Sequence, residues 1–260
     1  MNTTRPQNTE VSVVMACYNE APFLRRAIRS ILQQDFKAFE FIIIDDGSSD
    51  SSWNIISEFA ESDDRIVPIK NEENIGLSGS LNLGINLATS DLIARMDADD
   101  IALPNRLRLQ YEFLLSHDEI DVLGSSAFLI NKDSGESRGI IQLPEKHKEI
   151  VARVFKKTLV IHPAIMMRKE IFASFGYYDP SLRWAEDADL WFRIHDKIQF
   201  HNLPQPLLFY SQKSSVKPRM IRSNLSVKML NLRRRQMLLS HLTILVKDAF
   251  VLSLRYIRNF

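Results

Sequence analysis

Short apolar segments alternate with helical segments through the first 117 residues, and this alternation constrains the fold more than any other feature. Apolar runs that are rich in β-branched residues are typical of buried parallel strands, whereas apolar residues three and four apart indicate helices. The predicted strands are 11–15, 39–44, 65–70 and 92–96, and the predicted helices are 22–34, 51–61, 77–88 and 104–117. This order predicts an α/β fold in which helices cover both faces of a mostly parallel sheet.

The second half of the chain has a less regular pattern. Predicted strands are 122–130, 160–167, 198–203 and 207–211, and predicted helices are 145–157 and 186–195. From about residue 219 the pattern is helical to the end. We therefore expect one large domain over residues 1–215, followed by an α-helical extension over residues 216–260.

Composition excludes several protein classes. The 260 residues are 45% hydrophobic and 25% charged, which excludes collagen-like, low-complexity and disordered chains. The single cysteine, Cys17, cannot form an internal disulfide, so a disulfide-framed secreted domain is excluded. Residues 1–10 contain no apolar run, and no uninterrupted apolar stretch of about 18 residues occurs. We expect neither a signal peptide nor a spanning helix, and we expect a cytoplasmic protein.

The net charge of +1 conceals an asymmetry between the two predicted regions. Residues 217–260 carry ten lysines and arginines and one acid, Asp248. Within them, one helical face is shared by Leu238, Leu242, Leu245, Ala249 and Leu252, which predicts a basic amphipathic helix. Such a helix suits peripheral contact with an anionic membrane face. The alternative is packing on the large domain or on a second subunit of a homo-oligomer. Nucleic acid is not expected as a partner, because no basic platform with interleaved aromatic residues is present.

Acidic residues follow two of the predicted strands at the point where each strand ends. Asp45 and Asp46 follow Ile44. Met96 is followed directly by Asp97, and Asp99 and Asp100 come two and three residues later. In parallel sheets, ligands bind beyond the carboxyl ends of the strands. We expect these acids to lie at the tips of adjacent strands and to form part of one site. The alternative is that they are turn and helix-capping residues.

Six motifs occur in order between residues 10 and 212. They are VSVVMACYNE (11–20), FEFIIIDDGSSD (39–50), NIGLSGSLNLGI (74–85), ARMDADDIALPNRL (94–107), HPAIMMRK (162–169) and WAEDADLWFRI (184–194). Together they make the chain resemble family 2 glycosyltransferases, although many members have proline where this chain has Ala16. The resemblance implies a GT-A fold, which is a Rossmann-like fold that binds nucleotide sugars, over most of the chain.

Carboxylates two residues apart at a strand end can share one divalent cation that prefers oxygen ligands. Asp97 and Asp99 have this spacing. The resemblance implies Mg²⁺ or Mn²⁺, held mainly by Asp99, with Asp97 facing the ribose or a water on the metal. The role of Asp100 stays open. The two flanking arginines, Arg95 and Arg106, either meet phosphates or form ordinary ion pairs.

A carboxylate after the second strand can accept a hydrogen bond from a nucleobase N–H. The resemblance assigns this role to Asp46. It also places Ala16 and Tyr18 in the base pocket, with Glu20 nearby. Asn74 and Gly76 match a further family motif that lies near the nucleotide, although Gly76 also suits a helix entry.

Sugar transfer in a single displacement needs one general base and no covalent nucleophile. The Glu-Asp pair of the family matches Glu186 and Asp187, which makes Asp187 the predicted base. Glu186 and Asp189 are alternatives, and all three acids also suit a helix N-terminus. His162 and Trp184 are assigned to the acceptor side by the resemblance, although a histidine before proline is also an ordinary structural residue.

The sequence thus predicts an inverting, metal-dependent glycosyltransferase. We expect it to move a sugar from a nucleotide-diphospho-sugar, such as a UDP-sugar, to a hydroxyl of a glycan or lipid-linked acceptor. The resemblance implies bacterial lipopolysaccharide, capsule or other surface polysaccharide synthesis at the inner face of the cytoplasmic membrane. One alternative is a sugar-nucleotide nucleotidyltransferase, but residues 16–20 lack the glycine and lysine of its phosphate loop. The other is a degenerate binding module, against which the intact acidic motifs argue.

Overall fold

Strands and helices alternate along the N-terminal half of the protein, as the sequence predicts. The computed structural model describes residues 9–154 and 158–213. The strands are β1 (Val11–Cys17), β2 (Phe39–Asp45), β3 (Ile66–Lys70), β4 (Leu92–Asp97), β5 (Ile101–Ala102), β6 (Val122–Asn131), β7 (Ser137–Ile141), β8 (Met166–Arg168) and β9 (Phe200–Gln212). The helices are α1 (Ala21–Leu32), α2 (Ser52–Ser62), α3 (Gly76–Leu87), α4 (Arg106–Ser116), α5 (His147–Val151), α6 (Glu170–Phe175) and α7 (Glu186–Ile194).

The strands of the described chain form one sheet in the order β3-β2-β1-β4-β8-β6-β9-β5, and β7 pairs with β6. Strands β1 to β4 are parallel to one another, and so are β6 and β9, whereas β5, β7 and β8 pair antiparallel. This confirms the expected α/β fold with a mostly parallel sheet. The acidic turns after β2 and β4 are not at adjacent strands, however, because β1 lies between those two strands.

Side chains of the central strands are buried on both faces of the sheet. In β1, Val13 and Met15 pack into the layer with α1, α2 and α4, whereas Val14 packs into the layer that contains α3 and α7. Successive strand residues point to opposite faces, so a continuous apolar run fills both layers. This double coverage leaves the loops at the strand ends as the place where polar groups can collect.

Helix α3 packs closely on the sheet at Gly84. A Cβ atom there would lie 2.5 Å from Val14 Cγ1 and 2.8 Å from Ile44 Cδ1. We expect Gly84→Ala to lower the free energy of unfolding by about 1–3 kcal/mol, because overpacking outweighs the better helix propensity of alanine. Urea unfolding measures the change. Gly79→Ala is the matched control, since the three heavy atoms nearest to its Cβ would all belong to the Ile75 side chain, at 3.1–3.4 Å. Equal stability of the two variants would contradict the prediction.

The second half departs from the prediction at several elements. Residues 160–167 were predicted as one strand, but His162–Ala164 form a 3-10 turn before the short strand β8. Pro163 lacks the N–H that a strand ladder needs, which explains the interruption. The helix predicted over 145–157 is the short α5 within the described residues. The strands predicted at 198–203 and 207–211 form the single strand β9, whose pairing with β6 shifts register near Pro206.

Three short elements, β5, β7 and α6, were not predicted, because each has too few residues to show a clear period. Among the described residues, we find no helix that is both long and apolar enough to cross a bilayer. The amphipathic helix predicted for the basic extension falls on residues 216–260, which lie outside the described residues.

Candidate active site

Three carboxylates meet in the turn that follows β4. One oxygen from each of Asp97, Asp99 and Asp100 lies within 4.8 Å of the others. The side chain of Asp100 is fully buried, and its Oδ1 accepts a hydrogen bond of 2.7 Å from the backbone N–H of Ser211. Its Oδ2 is buried and has no hydrogen-bond partner among the described residues. Burial, together with the charges of Asp97 and Asp99, raises the pKa of Asp100 well above its usual value.

Two buried cations partly balance these acids. Arg95 is 5% exposed, and its Nη2 lies 2.6 Å from Asp97 Oδ1. Lys132 is 3% exposed, and its Nζ lies 2.6 Å from Asp99 Oδ2. The Arg95 guanidinium also lowers the pKa of Asp100 slightly, but burial has the larger effect. The two cations therefore pair with Asp97 and Asp99, and Asp100 has no ion pair among the described residues.

Lys132 also binds Glu20, which connects the first loop of the chain to the acidic cluster. The distance from Lys132 Nζ to Glu20 Oε2 is 2.7 Å, and the ammonium group lies 4.5 Å from the centroid of the Phe23 ring. Burial raises the pKa of Glu20 despite the opposing effect of Lys132. The sequence predicts Glu20 near the nucleotide, and the structure places it beside Asp99. Lys132 was missed, because it directly follows β6 and belongs to no motif.

Asp46 lies at the start of the loop after β2 and is 3% exposed. Its Oδ1 accepts hydrogen bonds from Asn71 Nδ2 at 2.8 Å and from the Ile75 N–H at 2.9 Å. Its Oδ2 accepts one from the Gly76 N–H at 2.9 Å, at the first turn of α3. The side chain of Asn74 donates to the backbone oxygen of Asp46 at 3.2 Å. Asp46, Asn74 and Gly76 are therefore together, and Asp46 ties down the N-terminus of α3.

The loop after β1 lies between these two acidic turns. Ala16 is in register with Ile44 on one side and with Asp97 on the other. Tyr18 is 50% exposed, which leaves its ring available to a ligand. Asn19 has a left-handed backbone with φ of 53° and accepts a hydrogen bond from the Ser49 N–H at 2.9 Å. The loops after β1 and β2 are thus joined into one rim.

A second pair of acids begins α7. Burial raises the pKa of Glu186 to about 7, and the charge of Asp187 adds to the effect. Burial also raises the pKa of Asp187, whereas the hydrogen bond from the Ala188 N–H and the charge of Arg95 lower it. Asp97 raises the pKa of both acids, which places them within electrostatic reach of the first cluster.

The start of α7 is strained. Ala185 has a left-handed backbone with φ of 64°, a conformation that costs a non-glycine residue about 1 kcal/mol or more. Such strain is typical of active sites, where it fixes the direction of the next residues. Asp189, an alternative base, forms an ion pair of 3.0 Å with Arg193 one turn later. The structure therefore gives Asp189 a partner within its own helix.

His162 lies against this second pair of acids. Its Nδ1 is 3.8 Å from Glu186 Oε1, and its Nε2 is 2.8 Å from the hydroxyl of Tyr178. Burial and the charge of Arg95 lower the pKa of His162 well below its usual value, which favours the neutral imidazole. Trp184 is partly buried two residues before Glu186.

Arg106 does not reach the surface, although it flanks the acidic motif. It is fully buried, and its Nη2 donates to the backbone oxygens of Arg95 and Ile165 at 2.7 and 3.1 Å. Burial lowers the pKa of Arg106 to about 9. Arg106 therefore braces the backbone under the acidic turn and is not a phosphate ligand.

Residues 12–176 match the family described as glycosyl transferase family 2, which is more than half of the chain. The chain belongs to glycosyl transferase family 2. It is 37% identical over 203 residues to an uncharacterized glycosyltransferase of Methanocaldococcus jannaschii, a match that covers 77% of this chain and 70% of that protein. It is 34% identical over 206 residues to the O-antigen biosynthesis glycosyltransferase WbnJ of Escherichia coli, covering 77% of this chain and 78% of WbnJ.

The fold of this glycosyltransferase is similar to that of TarS from S. aureus, whose residues 1–349 have been solved in complex with UDP. The TM-score is 0.65 at 20% identity, and the match covers 78% of this chain. The chain spans about three fifths of that structure, or 61%. These findings confirm a GT-A fold and an enzyme of the glycosyltransferase class. They favour neither of the two alternatives, a nucleotidyltransferase or a degenerate binding module.

The acidic cluster of this glycosyltransferase fits a divalent cation. Asp97, Asp99 and Asp100 offer oxygen ligands, which Mg²⁺ and Mn²⁺ prefer. Asp100 Oδ2 is buried and has no hydrogen-bond partner among the described residues, which leaves one carboxylate oxygen available to a cation. Glycosyltransferases of this family often use a divalent metal, and the cluster is where this chain would hold one.

Proposed function

We propose that the protein transfers a sugar from a UDP-sugar to a hydroxyl group with inversion at the anomeric carbon. One observation carries the proposal: Arg95 interacts electrostatically with both the acidic cluster and the Glu186–Asp187 pair. It contacts Asp97 directly and lowers the pKa of Asp187. This supports one site in which the acidic cluster would help to neutralise the leaving diphosphate and Asp187 would take a proton from the acceptor.

The free hydrogen-bonding capacity of Asp46 supports uracil as the base of the donor. Asp46 Oδ1 already accepts two hydrogen bonds and Oδ2 accepts one. Because a carboxylate has about four acceptor positions, one is left on Oδ2. A single acceptor suits the one imide N–H of uracil, whereas guanine presents two adjacent donors. Tyr18 and Ala16 would line the base, and the S. aureus protein TarS has been solved with UDP and with UDP-GlcNAc.

The donor diphosphate would lie at the acidic cluster. Asp99 and Asp97 would hold Mg²⁺ or Mn²⁺, which would supply positive charge for the leaving UDP. Asp100 stays fixed by Ser211 and orients the turn. Lys132 and Arg95 keep the carboxylates of Asp99 and Asp97 in place through ion pairs of 2.6 Å each. This arrangement is preorganised, so little reorganisation is needed during the reaction.

Asp187 is the proposed general base. The Ala188 N–H donates to Asp187 Oδ1 at 2.7 Å, which orients the carboxylate. Burial raises the pKa of Asp187, which makes it a stronger base than an exposed aspartate, and the charge of Arg95 opposes the effect of burial. It would accept the proton of the acceptor hydroxyl as oxygen attacks the anomeric carbon. A single attack without a covalent intermediate inverts the configuration.

The acceptor is proposed to be a glycan or lipid-linked intermediate of cell-surface polysaccharide synthesis. WbnJ, a relative that this chain matches over most of its length, is named for O-antigen biosynthesis. His162 and Trp184 would face this acceptor from beside Glu186. The proposed location is the cytoplasm at the inner membrane face. The membrane-binding helix and the homo-oligomer proposed for residues 216–260 stay predictions.

A screen of sugar nucleotides tests this function. We expect UDP and one UDP-sugar to raise the melting temperature by several degrees with Mn²⁺, because ligands at about 100 times Kd stabilise by about 2.7 kcal/mol. The same UDP-sugar should release UDP slowly when water replaces the acceptor. EDTA is the control that should remove both effects. Greater stabilisation by GDP-mannose than by any UDP-sugar would contradict the assignment of Asp46.

A further inference from the structure

One side chain of α3 holds both backbone groups of Tyr178. The Nδ2 of Asn82 donates to the Tyr178 oxygen at 2.8 Å, and the Tyr178 N–H donates to Asn82 Oδ1 at 3.1 Å. Tyr178 lies in the irregular segment between α6 and α7, where no strand or helix supplies backbone partners. The Asn82 side chain therefore takes the place of a regular partner and fixes the backbone at this residue.

The side chain of Tyr178 continues the connection toward the proposed base. Tyr178 is 2% exposed, and its hydroxyl is 2.8 Å from His162 Nε2. The other ring nitrogen of His162 lies 3.8 Å from Glu186 Oε1, next to Asp187 in sequence. The rings of His162 and Tyr178 pack edge to face with centroids 5.4 Å apart. A displacement of Tyr178 would therefore move the imidazole that packs against Glu186.

Helix α3 is itself anchored at the nucleotide loop. The Gly76 N–H in its first turn donates to Asp46 at 2.9 Å, and Gly84 leaves no space for even a Cβ against β1 and β2. One turn before Asn82, Ser78 Oγ donates a hydrogen bond to the backbone oxygen of Leu182 at 3.3 Å. This hydrogen bond also joins α3 to the segment between α6 and α7. One rigid helix thus contacts the Asp46 loop at its start and the segment before α7 at its centre.

We propose that Asn82 is a positioning residue that, through Tyr178 and His162, holds the Glu186–Asp187 pair in line with the donor bound at Asp46 and Asp99. This inference rests on the proposed function, because it takes Asp187 as the base. Asn82 contacts neither the acidic cluster nor Asp187. Its effect should therefore appear in turnover and not in nucleotide binding.

The test compares Asn82→Ala with Asn86→Ala, an exposed asparagine one turn later on the same helix. The probes are UDP with Mn²⁺ for calorimetric binding, and UDP release from the UDP-sugar that is turned over fastest among UDP-glucose, UDP-galactose and UDP-GlcNAc. We expect Asn82→Ala to lower kcat by about 10- to 100-fold, because small misplacements of reacting groups cost about that much. The Kd for UDP should stay within about twofold, and Asn86→Ala should change neither value.

A double-mutant cycle separates positioning from general destabilisation. Tyr178→Phe removes only the hydroxyl contact with His162, so it keeps the backbone bonds and remains informative even if Asn82→Ala fails to fold. The double variant carries both Asn82→Ala and Tyr178→Phe. If Asn82 acts through Tyr178, the fold loss of kcat in this variant should be well below the product of the fold losses in the two single variants. A fully multiplicative loss would overturn the proposal, as would a UDP affinity that weakens as much as kcat falls.

Hydrogen exchange distinguishes failure of this inference from failure of the proposed function. A wild-type protein that binds UDP but turns over no UDP-sugar would refute the proposed donor chemistry alone. In that case, UDP with Mn²⁺ should still slow amide exchange in residues 177–187 of the wild type and of Asn86→Ala, but not of Asn82→Ala. Equal protection of this segment in all three proteins would refute the role of Asn82.

Discussion

Asp187→Asn is expected to lower kcat by about 10³-fold, because positioned general bases typically contribute 10²–10⁴-fold. The amide keeps the size of the carboxylate but cannot accept the proton of the acceptor hydroxyl. The Kd for UDP with Mn²⁺ should stay within about twofold, since Asp187 lies outside the nucleotide loops. Rates of UDP release and calorimetric binding measure the two quantities on the same protein.

Asp189→Asn is the matched control for this variant. Both residues lie in the first turn of α7, so both interact with the helix dipole, but Asp189 is engaged by Arg193 at 3.0 Å. We expect the control to keep kcat within about tenfold of the wild type, a loss too small for a missing base. Equal losses in the two variants would mean that the acids act only through the helix terminus, and the assignment of Asp187 would be wrong.

Asp99→Ala is expected to abolish the dependence of UDP binding on Mn²⁺. The variant removes one of three carboxylates that lie within 4.8 Å of one another and leaves Lys132 paired only with Glu20 among the described residues. Loss of a buried charged contact costs about 2–3 kcal/mol, so the Kd for UDP in Mn²⁺ should rise roughly 30- to 150-fold. It should then equal the value in EDTA. Calorimetric titrations with and without Mn²⁺ measure the change.

Asp133→Ala is the control for Asp99→Ala, because Asp133 is an exposed acid beside Lys132 in the sequence. Its UDP binding should respond to Mn²⁺ like that of the wild type. Urea unfolding of both variants checks that loss of the Lys132–Asp99 ion pair has not destabilised the fold. Retention of the full Mn²⁺ response by Asp99→Ala would place the cation elsewhere, and the acidic cluster would then be a purely structural turn.

The sequence predicted the parallel half of the fold well because most residues of each strand there are apolar. Strands β1, β2 and β4 are buried on both faces, so their hydrophobicity is visible without knowledge of neighbours. The region after β6 was predicted less well. His162–Ala164 was assigned to a strand, although Pro163 makes a 3-10 turn, and the two segments around Pro206 turned out to be one strand. Whether a proline interrupts a strand depends on whether a neighbouring strand needs its missing N–H as a hydrogen-bond donor. The sequence does not show which strands will be neighbours.

The same division holds for the site. Asp97, Asp99 and the Glu186–Asp187 pair stand at motif positions, so the sequence is enough to predict acidic chemistry for them. Lys132 carries no such signal, although it bridges Glu20 and Asp99. Arg95 is visible in the sequence only as a neighbour of the acidic motif, yet it acts on both groups of acids. The links from Asn82 to Tyr178 and from His162 to Glu186 likewise join residues far apart in the chain.

The sequence alone determined that this chain forms a parallel α/β sheet with acids at its strand ends, because apolar periodicity and turn chemistry are local properties. It also determined the family, through six motifs in order. Only the tertiary structure decided which acidic and basic side chains form ion pairs. The pairing of Lys132 with Asp99, for example, depends on the distance between these side chains after folding. The tertiary structure likewise decided that β1 separates the two acidic turns, because strand order is set by packing of whole elements and not by any one segment.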